Sequence, residues 1–186
     1  MKINTIKLGS NVWMAQNLDV KVFADGSIIL EAQTREQWEQ AIIDKKPAWC
    51  YYKADEAMGN KYGLLYNEYV IRSGKELLTG WRVPDNNDWQ NIITLCGGQN
   101  KAGTLLKSEK GWKNKGNGIG STGFDALPGG GRFDNSVFLA EKQRAHFWSR
   151  SVLDENQQQF VFMNYLSGVA KLLGDENRGY SIRLVR

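Results

Sequence analysis

Eleven of the 20 glycines in this 186-residue chain fall between Gly97 and Gly131. Glycine adopts backbone angles that other residues avoid, so this stretch reads as a long, loop-dominated excursion. Prolines number only three. No internal repeat, low-complexity linker or shift of composition divides the chain, and residues 1–186 read as one domain.

Before the glycine-rich stretch, residues 3–8 and 12–18 read as a hairpin around the turn triplet Gly9-Ser10-Asn11. Residues 34–44 read as a helix. Thr34 is placed to cap it, Gln37 completes a capping box, and Trp38, Ala41 and Ile42 share one apolar face. Pro47 stops it. Residues 85–96 repeat that design. Asp85 serves as N-cap, Trp89, Ile92, Ile93 and Cys96 share a face, and Gly97-Gly98 supplies a left-handed stop. Residues 101–107 suit a third, short helix. Strands are expected at 145–149, 159–164 and 180–185. The segment 159–164 is apolar on both faces for most of its length, which suits either a central strand or one presenting aromatics to a partner. Two helices flanked by many short strands and long glycine-rich loops predict an α+β fold with an antiparallel sheet.

Composition narrows the function. Hydrophobic residues make up 41%, aromatic residues 11% and charged residues 24%, as in ordinary globular domains. The net charge is a mild +4. The densest basic stretch, Lys107, Lys110, Lys113 and Lys115, is interleaved with Glu109, Gly111 and Trp112 and reads as a solvated loop, so no nucleic-acid partner is expected. No apolar run approaches the ~18 residues of a membrane span. The first ten residues lack the apolar core of a signal peptide. The chain is therefore expected in the cytoplasm or a virion, or at a surface after loss of a leader.

One histidine and two cysteines leave little catalytic chemistry. A zinc site needs more ligands of these types. Cys50 and Cys96 either pair or are two buried thiols, and the fold does not rest on a disulfide framework. His146, beside Phe147-Trp148-Ser149, reads as a packed side chain, because no nucleophile elbow surrounds Ser149. Gly129-Gly130-Gly131 beside Arg132 has no phosphate-loop spacing, no helix is expected after it, and residues 123–132 read as a structural turn. Asp85, Asp88, Asp125 and Asp134, with Asn86, Asn87 and Asn135, offer oxygen ligands for a structural calcium ion. Asp85 and Asp88 are better explained as helix N-terminal residues, and no cofactor is expected. Most of the seven tryptophans are assigned to the core, with one or two free to stack on a sugar.

Several phrases occur in a fixed order. They are Val12-Trp13-Met14-Ala15-Gln16-Asn17-Leu18, Pro47-Ala48-Trp49-Cys50-Tyr51-Tyr52, Tyr62-Gly63-Leu64-Leu65-Tyr66-Asn67 and Gly80-Trp81-Arg82-Val83-Pro84 with Trp89. Ala102-Gly103 to Leu106-Lys107, Gly123-Phe124 to Leu127-Pro128-Gly129, Phe147-Trp148-Ser149 and Gly179-Tyr180-Ser181-Ile182-Arg183 follow. The series resembles the Fibrobacter succinogenes major paralogous domain over essentially the whole chain. Trp81-Arg82-Val83-Pro84 with Trp89, and the Gly-Tyr-Ser-Ile-Arg ending, also resemble the formylglycine-generating-enzyme branch of the C-type-lectin-like fold. The resemblance implies that fold, with a twisted antiparallel sheet, two main helices and long glycine-rich loops. Family members often carry Cys-Pro shortly before Gly-Trp-Arg-Val-Pro, and Cys near the end. Here Leu77-Leu78 and Leu184 stand there. If those cysteines pair in relatives, a buried Leu77/Leu184 pair replaces the bond, each side chain contributing ~1.5–3 kcal/mol. This fits folding outside an oxidising compartment. The enzymatic branch uses late cysteines, and none follows Cys96. The sugar–calcium motifs of animal lectins are also missing.

The stretch from Phe147-Trp148-Ser149 to Gly179-Tyr180-Ser181-Ile182-Arg183-Leu184-Val185-Arg186 further resembles the variable proteins of diversity-generating retroelements. In those, fixed scaffold ends bracket diversified side chains. The pairs Val152-Leu153, Tyr165-Leu166 and Leu172-Leu173 fit either an exposed contact surface or the underside of the sheet. The expectation is a non-enzymatic binding module for a protein or glycan ligand, acting through residues 149–178. Arg150, Phe160, Phe162, Asn164, Tyr165, Leu172 and Leu173 are the expected contacts, as anchors on a rigid scaffold. The alternatives are a carbohydrate-binding surface domain and a structural tip domain of a phage or surface fibre.

Overall fold

The computed structural model describes residues 3–133, 136–154, 157–166, 168, 170–175 and 177–186. In chain order, β1 (Thr5–Leu8) and β2 (Asn11–Met14) form the expected hairpin. β3 (Leu30–Glu31), α1 (Arg35–Ile43), β4 (Ala48–Cys50), α2 (Glu56–Tyr62), β5 (Leu65–Tyr66) and α3 (Glu68–Arg72) follow. Then come α4 (Asn86–Leu95), α5 (Gln99–Leu106), β6 (Gly129–Arg132) and β7 (Phe138–Glu141). The last three strands are β8 (Arg144–Val152), β9 (Gln158–Asn164) and β10 (Ala170–Asp175). The content is α+β. The strands form small sheets, β1–β2, β3–β4–β5, β6–β7 and β10–β9–β8, the last antiparallel throughout. No helix among the described residues is long and apolar enough to cross a membrane.

The two capped helices form for the reasons their sequences give. The Thr34 hydroxyl accepts from the Gln37 N–H at 3.2 Å, and the Gln37 side chain accepts from the Thr34 N–H at 3.0 Å. Asp85 and Asp88 make the same reciprocal exchange at α4. Each such cap stabilises its helix by about 1 kcal/mol. Trp38 and Ala41 of α1, and Trp89, Ile92 and Ile93 of α4, turn inward.

Residues 180–185, expected as a continuous strand, pair instead through separated bridges to four different partners. Tyr180 pairs with Tyr66, Ser181 with Phe147, and Val185 with both Trp13 and Arg82. The N–H groups of Val12 and Met14 donate to the Arg186 and Leu184 carbonyls at 2.8 and 3.0 Å. The C-terminal segment thus closes the fold by touching elements from the whole chain.

Residues 129–132 are a buried strand rather than a turn. The reason is close approach. A Cβ at Gly131 would lie 2.9 Å from the Tyr180 ring, and one at Gly130, where φ is +67°, would lie 2.3 Å from the Leu139 carbonyl oxygen. The lysine-rich loop is solvated only in part. Lys110, Lys113 and Lys115 are exposed, but Lys107 is buried. Its ammonium donates to the Gly116 carbonyl at 2.7 Å and the Asn164 carbonyl at 3.1 Å, tying the glycine-rich loop to the end of β9.

Three apolar clusters form the core. The first joins Trp13, Trp89, Phe124 and Phe147 with α4, α5 and one face of the β8–β9–β10 sheet. The second joins Trp49, Tyr66, Trp81, Trp148, Phe160 and Tyr180 on the other face. The third surrounds Trp38 and Tyr52. All seven tryptophans are buried, the most exposed at 6%. None offers a free ring for a sugar. Leu77 and Leu184 are both buried in the second cluster. Cys50 and Cys96 are free thiols in different clusters.

Candidate recognition surface

β9 is the middle strand of its sheet, and antiparallel register sorts the side chains by face. Trp148, Phe160 and Leu173 form one row across the three strands, and His146, Phe162 and Lys171 form the next. Arg144 and Asn164 begin a third row. These residues share the outer face. Ala145, Phe147, Val161, Met163, Ala170 and Leu172 point the opposite way, into or against the first cluster.

Burial falls steadily across the outer face. Trp148 is fully buried, Phe160 is 5% exposed and Leu173 is 44% exposed. In the second row His146 is buried, Phe162 half-buried and Lys171 exposed. The cause is Tyr180, which covers the inner corner. Its ring stacks on His146 at 4.6 Å and lies 4.8 Å from both Trp148 and Phe160. Phe133 adds a half-buried ring 5.4 Å from His146.

His146 is a packing residue. Its Nδ1 lies 3.1 Å from the Gly130 carbonyl oxygen. Burial, reinforced by the Arg144 charge, pushes its pKa down to about 3, so the ring is neutral at pH 7. Ser149 is buried, and its hydroxyl accepts from the Ser151 N–H at 3.2 Å. Burial also pushes the Cys50 thiol up to about 11 and raises that of Cys96. Neither thiol is activated as a nucleophile.

Phe162 rests on His146, with ring centroids 5.5 Å apart, and the Arg144 guanidinium lies 5.6 Å from its own centroid. Arg144 and Lys171, both exposed, flank it on neighbouring strands, and neither forms an ion pair among the described residues. The result is an aromatic side chain between two cations on a supported sheet face.

The expected contact residues separate. Phe162, Asn164 and Leu173 share the outer face, with Phe160 buried beneath them. The Asn164 Oδ1 accepts from the Leu166 N–H at 2.8 Å. Leu172 lies on the inner face, half-buried. Tyr165, just past β9, packs against that same inner cluster, 6.0 Å from the Lys113 ammonium. Arg150 lies within an irregularity of β8 and donates to Asp85 Oδ2 at 2.9 Å. Arg144, Lys171 and Phe133 complete the outer surface and were not among the expected contacts. Extending the alternation of 145–149 back by one residue points to Arg144; Lys171 becomes visible only once β10 is paired.

The oxygen donors weighed for calcium are occupied in part. Asp88 accepts from both Arg82 and Asn11, and Asp85 from Arg150. Asp134 and Asn135 lie outside the described residues.

A polar cleft of about 380 Å³ opens elsewhere, between Asn17, Asp19, Asn60, Lys61, Asp125 and Arg183. Arg183 is buried and donates to Asn17 Oδ1 and to the Phe124 and Asp125 carbonyls. Burial lowers its pKa to about 9, which leaves it cationic at neutral pH.

No curated protein and no solved structure matches the chain. The phrases spread from Val12 to Arg183 do belong to one pattern: the model of the Fibrobacter succinogenes major domain matches residues 6–186, and the chain is a member of that family.

Proposed function

We propose that this chain is a non-enzymatic recognition module with a C-type-lectin-like fold, binding a protein ligand through the outer face of the β8–β9–β10 sheet. The observation that carries this reading is the graded outer face. Phe162 and Leu173 stand partly exposed beside Arg144 and Lys171, over a layer of buried aromatic rings. A rigid underlayer limits the ordering cost of binding, and a partly exposed aromatic beside cations is the composition of an interface anchor. Exposed Val152, Leu153 and Leu166 border the same segment. The neutral, buried His146 and the two buried thiols support a non-enzymatic role. Within this reading, residues 149–178 are the portion open to diversification.

A protein- and peptide-display screen tests the reading, using the wild-type chain and Phe162→Ala with Arg144→Ala as bait. Ligands retained by the wild type and lost by the variant, with thermal stability kept, support it. Ligands indifferent to both substitutions overturn it. At the encoding locus, a near-identical repeat differing mainly at adenines beside a reverse transcriptase gene identifies diversification; a locus with neither leaves a fixed surface.

Carbohydrate binding is the second reading, favoured by the cleft at Arg183 with its amide and carboxylate lining. Glycan-array binding abolished by Asn60→Ala and Lys61→Ala, but not by Phe162→Ala, would replace the first reading with this one.

A further inference from the structure

β8 does not run straight against β9. Trp148 pairs with Phe160 and Val152 with Gln158, so residues 149–151 stand opposite Gln159 alone. Side chains hold this irregularity in place. The buried Gln158 amide donates to the Ser149 and Ser151 carbonyls at 2.6 and 2.7 Å. The Ser151 hydroxyl accepts from the Asn86 N–H at 3.0 Å. Bulges of this kind re-aim a side chain and are over-represented beside functional sites. The side chain re-aimed here is Arg150. Its backbone N–H donates to the Pro84 carbonyl at 2.8 Å, and its guanidinium donates to Asp85 at 2.9 Å.

Arg150 lines a pocket of about 420 Å³. The floor of that pocket is apolar, built from Val70, Ile71, Leu77 and Trp81, all buried. Lys75, Arg82 and Arg150 bring three cations to the lining, and among the described residues Glu76 is its one carboxylate. Each cation is fixed by an acid outside the lining. Lys75 pairs with Asp25 at 3.0 Å, Arg82 with Asp88 and Arg150 with Asp85. These pairs do not exhaust the donors. A guanidinium carries five N–H groups. Arg150 gives Nη2 to Asp85, and its Nε and Nη1 have no acceptor among the described residues.

This combination selects the occupant. The volume is at the scale of small-molecule sites, ~300–1,000 Å³. The floor suits a hydrocarbon body, and the planar fork of an arginine matches a carboxylate. Glu76 opposes a second negative charge on the ligand. We propose that the pocket binds a small organic monocarboxylate with an aromatic or branched apolar body. The body lies against Leu77 and Trp81, and the carboxylate is held by Arg150, with Lys75 adding attraction from the rim. Arg144, Phe162, Lys171 and Leu173 do not line this pocket, so the proposal is independent of the outer-face reading.

Nuclear magnetic resonance of the full isotope-labelled chain tests it, with 3-phenylpropionate as the probe. The acid should bind saturably with a Kd of about 1 mM or tighter and shift the amides of residues 70–83 and of Arg150. Its uncharged amide, 3-phenylpropanamide, should bind at least about tenfold more weakly to the same wild-type chain. Inorganic phosphate, which lacks the apolar body, should not displace the acid. Arg150→Gln should weaken the acid roughly tenfold, and Lys75→Gln about two- to threefold, both with melting temperature kept. Phe162→Ala should leave binding unchanged. No saturable shift up to about 10 mM acid overturns the proposal. So does equal affinity for acid and amide, full displacement by phosphate, or a folded Arg150→Gln chain that binds as well as the wild type. The acid–amide comparison needs no variant, and none of these readouts uses a protein ligand, so they fail separately from the recognition reading.

Discussion

At the β8 edge of the three-stranded sheet, Trp148 is fully buried and its indole N–H donates to the Tyr66 carbonyl at 2.7 Å. Its backbone N–H donates to the Ser181 carbonyl at 3.0 Å, so the C-terminal segment seals that side. At the β10 edge, two strands away in the same row, Leu173 is 44% exposed, and among the described residues its strand pairs with β9 alone. The difference teaches how one sheet serves two ends. Burial at β8 contributes stability, and β9 links that buried edge to one whose outer-face leucine meets solvent.

Substitution at the two edges should break the symmetry most strongly at β8. Trp148→Ala removes a buried ring and leaves the Tyr66 carbonyl without its indole donor. The expected loss is ~3–5 kcal/mol, read as a fall in melting temperature of about 10 °C. A loss comparable to that of Leu173→Ala would mean the edges do not differ.

The sealed side also predicts a pH response. The unfolded histidine titrates near 6.5, whereas His146 in the fold titrates at about 3. Between these values the unfolded chain binds a proton that the folded chain does not. Stability contributed by the neutral ring is therefore complete above about pH 6.5 and falls as pH drops toward 3. The expected loss is about 2 kcal/mol at pH 5. Urea unfolding at neutral pH and at about pH 5 measures it. His146→Phe should flatten this slope. An unchanged slope in that variant assigns the acid response to other groups.

Helix capping sharpens the comparison from outside the sheet. Thr34→Ala breaks the box at α1 and should cost about 1 kcal/mol. Leu173→Lys should cost less than ~0.5 kcal/mol, because the side chain already faces solvent. A large destabilisation by Leu173→Lys would identify the β10 edge as a covered surface.

Parts of this arrangement are written in the residues themselves. Both capping boxes, the hairpin, β8, β9 and the family pattern are legible, because each depends on near-neighbour chemistry or on a fixed phrase. α2 and α3 are short and carry no sustained apolar period, and β3, β4 and β5 have only two or three residues, too few to establish alternation. The glycines at 129–131 advertise freedom from side chains, but not whether that freedom serves a turn or the close approach of the Tyr180 ring. The expected contacts show the same limit. Phe160 and Phe162 are identical in type and parity, and only the position of Tyr180 decides that one is covered and the other half-open. Leu172 and Leu173 are adjacent leucines, and only pairing with Val161 and Phe160 assigns them to opposite faces.

The sequence by itself determined the helix caps, the family and the poverty of catalytic groups, since these follow from residue type and local spacing. The tertiary structure alone decided which face of the sheet is open, which edge is sealed and which apolar residues meet solvent. Those outcomes rest on contacts between residues far apart in the chain, above all Tyr180 against His146 and Phe160 and Ser181 against Trp148, and local periodicity does not encode which distant ring will arrive.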